Sequence, residues 1–146
     1  MKVVIIAAGQ GSRLKSQTEK SPKTLLNING NPLIYKLLKN CILPEISGVI
    51  IVTGYQHQII EDYITNVDLE INIETVYNPN WKLENGLSIL SARDAIPSGE
   101  NFIVSMSDHY YGSDLLEIVA QSSLEDNIAT VGLDFNINNI FDIDDG

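Results

Sequence analysis

Arg13, Lys15, Lys20 and Lys23 fall within eleven residues of one another, beside Gly9 and Gly11 and just after an apolar run. The whole chain has 9 Lys and Arg against 19 Asp and Glu, and no Lys or Arg follows Arg93. An acidic protein that gathers scarce cations beside two glycines is built to hold an anion there, and phosphate is the first candidate. Without a Cβ, Gly9 and Gly11 let backbone N–H groups approach phosphate oxygens closely. Arg13 can fork two such oxygens, Lys23 offers a compact point charge, and Pro22 stiffens the chain before it. Two familiar phosphate loops are excluded. The GxxxxGK[ST] string is absent, and the third position of a GxGxxG fingerprint is Leu14, followed by a long basic loop instead of a helix.

Other residues have both a chemical and a plain structural reading. Asp108 follows an apolar run and is flanked by Ser107 and His109; it is a candidate ligand or simply the residue that turns the chain. His109 either contacts a ligand or caps that turn. Asn85 and Gly86 stand at an expected helix start. The Asn85 amide can donate and accept at once, as a base edge requires, or serve as an N-cap. Tyr55 and Trp81 are aromatic residues of loops that pack on a ligand or anchor the loop. His57 reads as a surface residue and Cys41 as a small core residue.

The elements that must position these residues alternate. Continuous apolar runs at 3–8 and 48–53 read as buried parallel strands, and 102–105 as a further strand. Residues 69–76 alternate as LEINIETV, the pattern of a strand at or near a sheet edge, and 128–135 read as a last strand. Helical spacing marks 32–43, 56–67, 86–96 and 114–122, the last with Ser113 as N-cap. Asn29-Gly30 closes a turn after a short extended piece at 25–28. This alternation predicts an α/β fold, a three-layer α/β/α sandwich with a mainly parallel, Rossmann-like sheet. Ligands of such sheets bind outside the carboxyl ends of the strands, where the loops after Ala8, Thr53, Val76 and Ser107 converge.

Composition narrows the classes. At 146 residues the chain reads as a single domain, 1–146, ending on an acidic stretch as though a longer chain were cut there. The net charge of -10 argues against nucleic acid or an anionic membrane as partner. Apolar runs are shorter than a membrane span, Gly9 and Arg13 interrupt the first run too early for a signal peptide, and one cysteine makes no internal disulfide. A cytoplasmic location is expected.

The string AAGQGSRL at 7–14, followed by SPKTLLNINGNPLI at 21–34, resembles the signature of nucleotidyltransferases that activate sugar or alcohol phosphates. The resemblance continues through VTGY at 52–55, NPNWKLENGLSILSAR at 78–93 and VSMSDHYY at 104–111, and so covers most of the chain. ENGLSIL and MSDH are most similar to the cytidylyltransferases, notably those acting on inositol 1-phosphate, with a weaker likeness to bacterial choline-phosphate enzymes. The resemblance implies transfer of CMP from CTP to a small alcohol or polyol phosphate, with release of pyrophosphate. It also implies a set of roles. Ala7, Ala8 and Gly9 meet base and ribose, and Gly11, Ser12 and Arg13 hold the β- and γ-phosphates. Lys23 reaches the α-phosphate, Asn85 and Gly86 read the pyrimidine and orient the ribose, and Asp108 binds Mg²⁺. Members of that family are considerably longer and take a second metal-binding Asp and much of the acceptor pocket from a later segment. Alternatives remain: UTP or dTTP with a sugar 1-phosphate, GTP with a pterin cofactor, or a nucleotide-binding module without catalysis. An NAD-binding oxidoreductase fits poorly, because its fingerprint is incomplete.

Overall fold

The computed structural model describes residues 1–11, 21–122 and 129–131. Four parallel strands form the sheet: β1 Lys2–Ala7, β4 Gly48–Thr53, β5 Ile73–Tyr77 and β6 Phe102–Met106, in the order β5-β4-β1-β6. The two unbroken apolar runs are the two central strands. Only a strand covered on both faces and paired on both edges can bury every side chain, and β4 does so along its length.

Alternate residues feed two separate cores. Val3, Ile5 and Ala7 of β1 and Val49 and Ile51 of β4 point to one face. There they meet α1 Leu33–Asn40, α2 His57–Thr65 and α4 Ser113–Gln121, through Leu37, Ile60 and Leu116 among others. Val4, Ile6, Ile50 and Val52 point to the other face, under α3 Asn85–Ser91 and the 3₁₀ turn Arg93–Ala95. The result is the expected three-layer α/β/α sandwich. Cys41 is fully buried against the first core, and burial pushes its thiol up to about 12. A small hairpin, β2 Asn27–Ile28 and β3 Asn31–Pro32, leads into α1. Asn29 and Gly30 both take positive φ, 50° and 91°, as the two-residue turn that matches strand twist requires.

Several boundaries differ from the sequence reading. The strand expected over 69–76 begins only at Ile73, where pairing with Val49 starts; before it, Ile71 N–H closes a tight turn onto the Leu69 carbonyl. The helix expected over 86–96 starts at Asn85, ends at Ser91 and gives way to the 3₁₀ turn. Ser113 is not an N-cap: Gly112 takes that position and Ser113 is the first helical residue. The strand expected over 128–135 lies outside the described residues apart from 129–131, which form no strand. Among the described residues no helix is long and apolar enough to cross a membrane.

The strand order decides where a ligand can sit. From β1 the chain winds outward through β4 to β5, then returns to the other side of β1 as β6. The direction of winding reverses between β1 and β6, and a crevice opens there at their carboxyl ends.

Candidate functional site

A cleft of about 230 Å³ occupies that crevice. Ile6, Ala7, Gly9 and Gly11 line it from the end of β1, and Met106, Ser107 and Asp108 from the end of β6. Pro22, Lys23 and Thr24 close one side, and Asn85 reaches it from the start of α3. Of the residues singled out by sequence, Ala7, Gly9, Gly11, Lys23, Asn85 and Asp108 are therefore brought to one place. Ser12, Arg13, Lys15 and Lys20 lie outside the described residues.

Two further residues of that set are not among the lining residues. Ala8 is buried just behind the wall, and its carbonyl accepts the Tyr55 N–H at 3.0 Å. Gly86 sits exposed beyond Asn85 on α3. Gly11 has φ +63, the left-handed region that a residue without Cβ enters at no steric cost. At Gly9 an added Cβ would meet nothing within 4 Å among the described residues, so they leave this backbone open to an approaching ligand.

Lys23 begins the 3₁₀ turn Lys23–Leu25, after Pro22 at φ −54. Its Nζ donates to Asp108 Oδ2 at 3.0 Å, while Asp108 Oδ1 lies 2.9 Å from His109 Nδ1. Burial pushes the Asp108 carboxyl up. The hydrogen bond and charge of Lys23, followed by the charge and hydrogen bond of His109, outweigh that and hold it below the usual carboxylate range. Asp108 is therefore ionised at neutral pH. His109 is otherwise exposed and serves as its neighbour's partner.

A single ionised carboxylate beside a cation does not make an all-protein metal cage, and no group of three or more His, Cys, Asp or Glu side chains converges among the described residues. It does suit a small hard cation that arrives on phosphate oxygens and keeps several waters, as Mg²⁺ does.

The loop that carries Asp108 is held from α1. Asn40 Nδ2 donates to the Tyr111 carbonyl at 2.6 Å, and the Tyr111 hydroxyl donates to Ser105 Oγ at 2.8 Å. Lys36 lies over the Tyr110 ring, 5.8 Å from its centroid. On the opposite side, Gly54 is wedged between Ala8 and Trp81, whose ring packs 5.4 Å from that of Tyr55. Trp81 and Tyr55 thus anchor their loops to each other. His57, expected at the surface, is only one-third exposed; its ring packs on Tyr77 at 4.2 Å and its Nδ1 lies 3.3 Å from Glu61. The N-cap reading of Asn85 does not hold either, since Glu84 is the N-cap and Asn85 the first helical residue.

Sequence reasoning passed over Asn40, Gly54, Asn78, Ser88 and Thr24. Gly54 carried a usable signal, a glycine directly after a buried strand; Asn40, Asn78 and Ser88 did not, because their partners lie ten or more residues away, and the burial of Thr24 leaves no mark on its residue type.

Comparison with known proteins places these features in a wider set. Residues 2–136 match the family model described as Nucleotidyl transferase. The chain is 35% identical over 115 residues to the bifunctional IPC transferase and DIPP synthase of Aquifex aeolicus, covering 78% of this chain and 26% of that protein. The structure is similar to that of the inositol-1-phosphate CTP transferase from T. maritima, with TM-score 0.62 and 25% identity over 73% of this chain and 43% of that one. It is also similar to CTP:phosphocholine cytidylyltransferase from Streptococcus pneumoniae, with TM-score 0.63 and 28% identity over 77% of this chain and 49% of that one. The chain spans less than half the length of each of these relatives.

Proposed function

The chain belongs to the nucleotidyl transferase family, and on that premise we propose that it transfers CMP from CTP to a small alcohol or polyol phosphate, inositol 1-phosphate first. An oxygen of the acceptor phosphate attacks the α-phosphorus of CTP. The bond from that phosphorus to the bridging oxygen breaks, and pyrophosphate leaves with the electron pair. No protein nucleophile takes part, so catalysis comes from positioning and charge.

One observation carries this reading: Gly9, Gly11, Lys23, Asn85 and Asp108, from four separate stretches of sequence, line a single cleft at the winding switch of the sheet. The open backbone at Gly9, with Ala7 and Ala8, supports base and ribose. Gly11, with Ser12 and Arg13, takes the β- and γ-phosphates. Lys23 turns from Asp108 to the α-phosphate, where charge accumulates in the transition state. Asn85 and Gly86 read and orient the nucleoside. Asp108 holds Mg²⁺, which when bound neutralises phosphate charge.

Pyrophosphate release is the test, with CTP, UTP, GTP, ATP and dTTP each offered Mg²⁺ and a mixture of inositol 1-phosphate, phosphocholine and hexose 1-phosphates. Release with CTP and one acceptor is expected. Lys23→Ala and Asp108→Ala should each slow it on the order of 100-fold or more. Release with UTP or dTTP and a hexose phosphate would move the assignment to a sugar-phosphate enzyme. Binding of CTP without release in any pair favours a nucleotide-binding module.

A further inference from the structure

Helix α3 carries Asn85 to the cleft but is only seven residues long and thinly anchored. Ser88 is its one buried residue, Ile89 is partly buried against the second core, and Leu87 and Leu90 are exposed. So little apolar contact leaves the rotation and axial position of two helical turns loosely determined.

A buried hydrogen bond supplies what the packing lacks. Asn78, 1% exposed, donates from Nδ2 to Ser88 Oγ at 3.0 Å. Asn78 is itself clamped. Its backbone N–H donates to the Thr53 carbonyl at 2.8 Å, and its Oδ1 accepts the Asn80 N–H at 2.8 Å. Thr53 ends β4 and stands opposite Ala7 of β1 in the ladder. One continuous set of bonds therefore runs from the carboxyl end of the sheet, beside the cleft, through Asn78 to Ser88. Asn85 lies three residues before Ser88, and residues at that spacing share a helix face. Whatever fixes Ser88 fixes where Asn85 stands.

We propose that Asn78 and Ser88 are positioning residues for base selection: their buried bond sets how Asn85 is presented to a nucleobase in the cleft. The proposal rests on the reading of Asn85 as a base contact. Without the Ser88 hydroxyl the Asn78 amide loses its acceptor in a site closed to water, and α3 is free to shift. A shift of an ångström at a recognition group is enough to blunt discrimination while leaving distant phosphate contacts alone.

The experiment measures affinities of the full chain for CTP, UTP and tripolyphosphate, each with Mg²⁺, in wild type, Ser88→Ala and Asn85→Ala. Tripolyphosphate has no base and reports on the phosphate contacts alone. Ser88→Ala deletes one oxygen and leaves a strong helix former, so the chain should still fold. The expected result is a base preference in wild type that falls about tenfold in Ser88→Ala, with tripolyphosphate affinity held within about twofold. Asn85→Ala should lose the preference as well. Retention of the full preference by Ser88→Ala, where Asn85→Ala loses it, overturns the positioning role. Equal losses for CTP and tripolyphosphate in Ser88→Ala also overturn it, since the effect is then not confined to the base. Retention of the preference by Asn85→Ala, or none in wild type, overturns instead the reading of Asn85 on which the proposal stands.

Discussion

The Lys23 ammonium lies 3.0 Å from Asp108 Oδ2, across 85 residues of sequence. The pair joins the turn after the glycine loop to the loop after β6, the two sides of the cleft at the winding switch. The cation and the carboxylate neutralise each other there. On the proposed function, a metal-bound triphosphate would offer each a new partner at once, so that exchanging one arrangement for the other would leave neither charge unpaired.

This pairing gives a pH dependence of known sign. The folded-state pKa of Asp108 is held below its ordinary value of 3.8, so the unfolded chain binds the proton more readily. The pair therefore stabilises the fold above that value, and the contribution is lost as pH falls through the lower, folded-state pKa. Thermal melts of wild type and Asp108→Asn from pH 7 down to about pH 2.5 check it. Asp108→Asn should melt lower at neutral pH, and the two curves should converge at the acid end. With both partners about one-third exposed, solvent screens the pair and the gap should be small and should shrink in salt.

Thr24 is 3% exposed on the same side of the cleft, and its hydroxyl has no hydrogen-bond partner among the described residues. A buried hydroxyl left unpaired costs the fold about 1 to 3 kcal/mol. Thr24→Val keeps the branched shape and removes the polar atom. Denaturant unfolding should show this variant more stable than wild type by about 1 kcal/mol; a loss of stability would mean that the hydroxyl has a partner in solution.

Gly54 has no room for a side chain. A Cβ there would stand 2.6 Å from the Ala8 carbonyl oxygen and 2.8 Å from Ala8 Cβ, on a residue directly after β1 whose carbonyl already accepts the Tyr55 N–H. Gly54→Ala should cost about 2 kcal/mol or more by overpacking. Because Ala8 lies directly behind the cleft wall, nucleotide affinity should fall with stability. Calorimetric titration with CTP, run well below the melting temperature, separates the two effects: unchanged affinity in the folded variant would show that Ala8 does not transmit the strain.

Much of this protein was legible from its residues in order. Near-continuous apolar runs marked β1 and β4, because a strand enclosed on both faces buries its side chains on both sides of the pleat. Helical spacing marked α1 and α2, and Asn29-Gly30 marked the hairpin, because the twist of paired strands demands positive φ there. The glycine loop with its crowd of cations, the PKTLL string and the SDH string carried the family, since backbone access and charge are properties of a short stretch. What tertiary structure alone decided was which distant groups meet. The order β5-β4-β1-β6 put the ends of β1 and β6 side by side and so paired Lys23 with Asp108. The bonds from Asn78 to Ser88 and from Asn40 to Tyr111, and the wedge of Gly54 against Ala8, leave no periodic trace. A hydrogen bond or a close contact depends on the positions of two groups in space. A residue pattern records only whether each position is apolar, polar or free to turn.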